Sequence, residues 1–175
     1  MTTAPHHIPG PVLTTERLAL RPPVESDFGA FAAFYGSADA AFVGGPLDRP
    51  TAYRWFASMV GHWVLKGYGW FWADTRDTAQ TVGFVGPHFP PHHADLEIGW
   101  VTYPGAQRRG FGFEAAMAAR DWTLATLTPA RLVSYIDPKN APSRALAAKL
   151  GAATDGTRAA HDPGCEVWMH PVGAA

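Results

Sequence analysis

Residues 107 to 112 read Gln-Arg-Arg-Gly-Phe-Gly and stand between a strand-like run ending at Tyr103 and an alanine-rich segment. Glycine at 110 and 112 removes the β-carbons that would hold a ligand away from the main chain. A helix opening near Phe113 would aim its first unpaired N–H groups, and the positive end of its dipole, at the same spot. Such a loop suits a phosphate or pyrophosphate. Arg108 and Arg109 add charge, and a guanidinium fork donates two parallel hydrogen bonds to phosphate. Two other glycine motifs fit less well. A Walker loop ends in Gly-Lys-Ser or Gly-Lys-Thr, whereas Phe-Gly-Phe follows Gly110. The dinucleotide fingerprint would place Ala115 as its third small residue and Asp137 as a late acid, but no clean βαβ repeat surrounds it.

Four more places carry groups able to do chemistry. Glu97 lies on the polar face of an alternating run, as either a solvent-facing strand residue or a general base, with Asp95 two residues away on the same face. Asn140 caps a helix, and Ser143 three residues on is a first-turn serine or a proton donor; Tyr135 on the preceding strand is the alternative donor. His88, His92 and His93 with Asp95 offer zinc donors, yet the spacing matches no well-known metal motif, three prolines interrupt it and no cysteine is near. We expect no metal there but a surface loop lining the acceptor's approach. Cys165 is the sole cysteine, lies on a late strand away from the other motifs, and is a poor covalent intermediate.

These groups need a scaffold. Residues 1–13 are rich in Pro, His and Thr without periodicity and read as a flexible tail; 14–172 read as one domain. Arg17 to Arg21 alternates as a half-buried strand. A helix capped by Ser26 runs through Phe28, Phe31, Phe34 and Tyr35, and a second spans Thr51 to Lys66. Strands follow at Trp70 to Asp74 and Thr81 to Val85, then a Pro- and His-dense loop from Gly86 to Ala94 and a strand carrying Leu96, Ile98 and Trp100. After the glycine loop come a helix to Leu127, a strand at Arg131 to Ile136, a helix from Asn140 to Leu150 ended by Gly151, and closing strands near 153–158 and 165–170. The order βααβββαβαββ describes an α+β (α/β three-layer) fold: a mixed, mostly antiparallel sheet with helices on both faces. Most of the tryptophans belong to its core.

The chain has 175 residues, 47% hydrophobic and 17% charged, with a formal net charge of −1. That composition folds, and its charge gives no electrostatic case for nucleic acid or an anionic membrane. No apolar run reaches the roughly eighteen residues of a membrane span, so we expect a cytoplasmic protein, monomeric or a homodimer.

Gln107-x-x-Gly110-x-Gly112 resembles the acyl-CoA pyrophosphate loop of the GNAT superfamily of N-acetyltransferases. Leu96 to Trp100 before it, Phe113 to Ala116 after it, Asn140-Ala141-Pro142-Ser143 and Lys149-Leu150-Gly151 match that family as well, and Thr15 to Pro22 is similar to the opening strand of its RimJ/RimL branch. The resemblance implies the GNAT fold and acetyl-CoA as co-substrate. It implies direct transfer of an acetyl group to a primary amine, a peptide or protein N-terminus in the best-known branch members. A small-molecule amine, or acyl-CoA binding without turnover, are the alternatives. By the same resemblance the pantetheine arm runs beside Trp100, Val101 and Thr102. Gln107, Arg108, Arg109, Gly110, Phe111 and Gly112 hold the pyrophosphate, and Asn140 contacts CoA. Glu97 deprotonates the amine and Ser143 protonates the departing thiolate.

Overall fold

The alternation in Leu18-Ala19-Leu20-Arg21 is built as expected, with both leucines fully buried in strand β2 (Leu18–Arg21). The computed structural model describes residues 8–173. Of the tail, residues 1–7 lie outside that part; from Ile8 onward the chain packs, with Gly10 lying against Trp63 and Pro22. A short strand β1 (Leu13–Thr14) then pairs with β2.

The described residues form one sheet in the order β1-β2-β3-β4-β5-β6-β7, where β3 is Phe71–Thr75, β4 Thr81–His88, β5 Leu96–Thr102, β6 Leu132–Ile136 and β7 Glu166–Met169. Every neighbouring pair is antiparallel except β5 with β6. That parallel pair requires a crossover, and α3 (Phe111–Leu127) supplies it.

Side chains of successive strand residues point to opposite faces, so the sheet has two apolar sides. Trp72, Phe84 and Val101 meet α1 (Phe28–Tyr35) and α2 (Arg49–Lys66) through Phe31, Phe56 and Met59. Phe71, Ala73, Val85 and Ile98 meet α3 through Phe111, Ala115, Ala116 and Ala119, whose small side chains let the helix approach closely. Each large side chain sealed in these layers contributes roughly 1.5–3 kcal/mol. The last helix, α4 (Ala141–Lys149), covers β6 and β7 through Ala147, Ile136 and Trp168.

Several boundaries differ from the sequence expectation, each for a local reason. Ser26 caps nothing. A 3-10 turn at Glu25–Asp27 precedes α1, and the Asp27 carboxylate accepts from the Val24 N–H while binding Arg21. Asp48 accepts from the Thr51 N–H and starts α2 two residues earlier than expected, at Arg49. Strand β4 runs on to His88, into the segment read as loop, because Pro87 and His88 continue the ladder with Ile98 and Glu97. The stretch 153–158 makes only isolated bridges at Ala153 and Arg158, leaving one closing strand.

Candidate active site

Strands β5 and β6 are in register only at Leu96 with Leu132 and Glu97 with Val133. Beyond Glu97 they part, and the Ser134 hydroxyl bridges the start of the gap by donating to the Ile98 carbonyl at 2.6 Å. That hydroxyl has one hydrogen, so His170 Nε2, 3.0 Å away, must donate to it. Burial pushes the pKa of this ring down to about 4. The splay leaves the β6-side edge of Gly99 to Thr102 unpaired by strand. A cavity of about 770 Å³ opens beside it, lined by Glu97, Trp100, Val101, Tyr135, Asn140 and Ser143 together with aromatic and histidine side chains from α2 and the 88–93 segment. Its size is that of a small-molecule site.

Glu97 projects into this cavity opposite His88, its cross-strand partner. Asp95 does not line the cavity and pairs with Arg131 at 3.3 Å. Ser143 sits in the first turn of α4, where its N–H donates to the Asn140 side chain at 3.2 Å and its hydroxyl accepts from Trp100 Nε1 at 3.3 Å. Asn140 is therefore the helix cap, with its amide facing the same cavity. The Tyr135 hydroxyl is buried without a hydrogen-bond partner, and burial raises its pKa.

Of the three histidines expected on a surface loop, only His92 is exposed; His88 and His93 turn inward. His88 is buried, and the His93 side chain is only 7% exposed. Their Nδ1 atoms lie 3.7 and 3.4 Å from Glu97 Oε2, too far or too poorly aligned for hydrogen bonds. His161 stacks on His93 with ring centroids 4.0 Å apart. Burial first, then the neighbouring imidazoles of His161, His88 and His92, push the His93 pKa down. His62 is fixed as well. Its Nε2 accepts from the Phe89 N–H, so Nδ1 carries the proton that goes to the Tyr68 carbonyl. Cys165, remote in sequence, lines the same cavity, but burial and then Asp162 raise its thiol pKa to about 12, well away from thiolate chemistry.

The glycine loop lies outside the cavity, joined to it by Trp100 to Thr102. Gly110 takes a left-handed conformation (φ 84°) and ends the loop, so α3 begins at Phe111 rather than near Phe113. Gly110 gives no side-chain cap, and the N–H groups of Phe111, Gly112 and Phe113 are left for an outside acceptor. Gly112 serves packing instead of ligand access: a β-carbon there would come within 2.6 Å of Thr102 Oγ1. The Phe111 side chain is likewise in the core, leaving only its backbone for a ligand. Gln107 ties the loop to β5 by donating to the Thr102 carbonyl at 3.2 Å.

Arg17 and Glu114 complete the loop, and sequence reasoning assigned neither a role. Glu114 accepts from Thr15 Oγ1, the Arg17 N–H and Arg17 Nε at 2.6–2.8 Å, and the Arg17 Nη1 donates to the Arg109 carbonyl at 3.0 Å. Arg17 and Arg109 both rest on the Phe111 ring. An acid in the first turn of a helix was the available signal for Glu114. His161 gave none.

The splayed sheet, the anion-ready helix start and the cavity lie side by side, and comparison with known proteins assigns the class of the chain. Residues 17–153 match the Acetyltransferase (GNAT) domain, and the chain belongs to that family of acyltransferases, which generally use acetyl-CoA. It is similar to the crystal structure of an acetyltransferase from Agrobacterium tumefaciens str. C58, at 35% identity over 97% of this chain and 99% of that one, with a TM-score of 0.88. It is also 27% identical over 153 residues to YoaA, an uncharacterized N-acetyltransferase of Bacillus subtilis (strain 168), covering 83% of this chain and 85% of that protein. Ribosomal-protein-S5-alanine acetyltransferase from Vibrio fischeri shares the fold at 15% identity, with a TM-score of 0.69 over 93% of this chain and 96% of that one. Among the described residues no helix is long and apolar enough to cross a membrane.

Proposed function

We propose that this protein transfers an acetyl group from acetyl-CoA directly to a primary amine, as an enzyme of RimJ/RimL type. The observation that carries the reading is the divergence of β5 from β6 after Glu97, which puts a carboxylate, an unpaired strand edge and the Ser143 hydroxyl on one cavity. The pantetheine amides would pair with the Trp100 to Thr102 backbone. The pyrophosphate would take the free N–H groups at the start of α3, with Arg108 and Arg109 beside it and Asn140 meeting the arm. Glu97 accepts the ammonium proton through a water, since an amine attacks a thioester only once deprotonated. The carbonyl oxygen, negative in the tetrahedral adduct, is met by a backbone N–H of β5. Collapse expels the thiolate, which Ser143 protonates.

The acceptor we favour is a peptide N-terminal α-amine. A second reading, a small-molecule amine, is favoured by the size and aromatic walls of the cavity. Glu97, Asp137 and Asp162 line it against the single cation Lys66, a balance that draws one ammonium group without selecting a polycation. Thiol release measured side by side with N-terminal peptides, amino acids, polyamines and aminoglycosides tests both readings. Preference for a polycation would overturn the charge argument, and no release with any amine would make the protein an acyl-CoA sensor.

A further inference from the structure

His88 and His93 were expected to act with His92 and Asp95, if at all. The fold groups them differently. Antiparallel pairing sets His88 opposite Glu97, and the turn through residues 91–94 folds His93 back over the same carboxylate. One donor atom from each of the three lies within 4.8 Å of the others. A tetrahedral zinc ion with bonds of about 2.0–2.1 Å separates its donors by about 3.4 Å. The Glu97 Oε2 distances of 3.4 Å to His93 and 3.7 Å to His88 fall close to that edge. His93 Nδ1 is buried, has no hydrogen-bond partner and lies 3.4 Å from the carboxylate. A buried ring nitrogen left in that state calls for a ligand.

The rings are also held in place. His161 stacks on His93, while His62, Trp55 and Trp70 surround His88 at centroid distances of 5.1, 5.5 and 6.0 Å. Packing of this kind limits the rearrangement that binding needs. We propose that His88, His93 and Glu97 form a site for a divalent zinc-class ion, with water from the cavity as fourth ligand, and that occupancy holds the enzyme off. The off state rests on the assignment of Glu97 as base: a carboxylate committed to Zn²⁺ no longer accepts the ammonium proton, and the ion stands where the amine must approach.

Calorimetry with Zn²⁺ alone, on tag-free protein, and the visible absorption of added Co²⁺ test the site without any acceptor. The expected result is one equivalent bound. His93→Ala, His88→Ala and the isosteric Glu97→Gln, each checked for folding by circular dichroism, should weaken binding by at least about 10- to 100-fold, the loss that removal of an outer-shell partner alone produces. No binding, or undiminished binding in all three variants, overturns the proposal. In a second arm, Zn²⁺ is titrated into wild-type turnover of the best amine. Inhibition with the same midpoint as binding, reversed by a chelator, is expected. Binding with undiminished turnover overturns the off state and takes the base role from Glu97. Absence of turnover on every amine defeats the proposed function while the calorimetric answer stands.

Discussion

Glu114→Gln isolates what holds the pyrophosphate loop in shape. The amide keeps the carboxylate's size, and its oxygen still accepts from Thr15 and the Arg17 N–H; its NH₂, however, now faces the Arg17 guanidinium, donor against donor. Two contacts from Arg17, each 2.7 Å long, lose their acceptor. A hydrogen bond to a charged group is worth about 1.5–3 kcal/mol when well buried. Arg17 is 44% exposed, so water replaces much of that, and we expect about 1–2 kcal/mol for the pair. In a chain of this size that lowers Tm by roughly 2–8 °C. If the same energy holds Arg17 on the Arg109 carbonyl and against Gly110, CoA affinity should fall about 5- to 30-fold.

The pH dependence gives a second readout. Burial raises the Glu114 pKa, but hydrogen bonds from Thr15 and Arg17 and the charge of Arg17 outweigh it and hold the carboxyl below its usual range. A depressed carboxylate stabilises the fold above its unfolded pKa and loses that contribution as pH falls through the folded value. The stability gap between wild type and Gln variant should thus be widest at neutral pH and close in acid. Thermal unfolding across pH 3 to 7, roughly the span of carboxylate titration, with CoA calorimetry at pH 7 checks both. A Tm and CoA affinity equal to wild type would refute the bracing role.

Other outcomes follow from the same geometry. Glu97→Gln should lower turnover about 100- to 10,000-fold with little change in CoA affinity, and the rising limb of its pH–rate profile should shift or vanish; a wild-type profile would remove the carboxylate from the reaction. Ser143→Ala should slow turnover in the same sense, and an undiminished rate would move the thiolate's proton to Tyr135. Gly112→Ala places a β-carbon 2.6 Å from Thr102 Oγ1 and should destabilise the fold by about 1–3 kcal/mol through overpacking, read as a drop in Tm. Gly110→Glu puts a side chain and a negative charge beside the α3 start, so CoA binding should collapse in folded protein; unchanged affinity in calorimetry would refute the loop's role.

What could be read from the chain was what neighbours in sequence decide. The glycine loop, the Asn140 cap and the alternation around Glu97 each depend on residues within one turn or one strand, and all are found where their spacing put them. The purpose of the glycines was less accessible. Gly110 and Gly112 look alike in sequence, but only Gly110 has a positive φ, while Gly112 is small because Thr102 of β5 lies against it. Separating the two requires knowing how α3 docks on the sheet. Arg17 and Glu114, 97 positions apart, meet through the same docking.

The histidine cluster shows the limit most clearly. Spacing along the chain grouped His88, His92 and His93 with Asp95, because they are close in sequence and carry plausible donors. The pleat sets the actual grouping: residues 95 and 97 share a face, yet only Glu97 falls within the β4 ladder, where His88 is its cross-strand partner, while Asp95 precedes the strand and turns to Arg131. His161 reaches His93 from the segment between α4 and β7, which has no periodicity to reveal its course. A register error of one residue between β4 and β5 would turn either His88 or Glu97 to the opposite face and dissolve the cluster. The cluster's chemistry is therefore a property of the pairing between these two strands, and it stands or falls with the register that also sets Trp100 and Val101 beside the cavity.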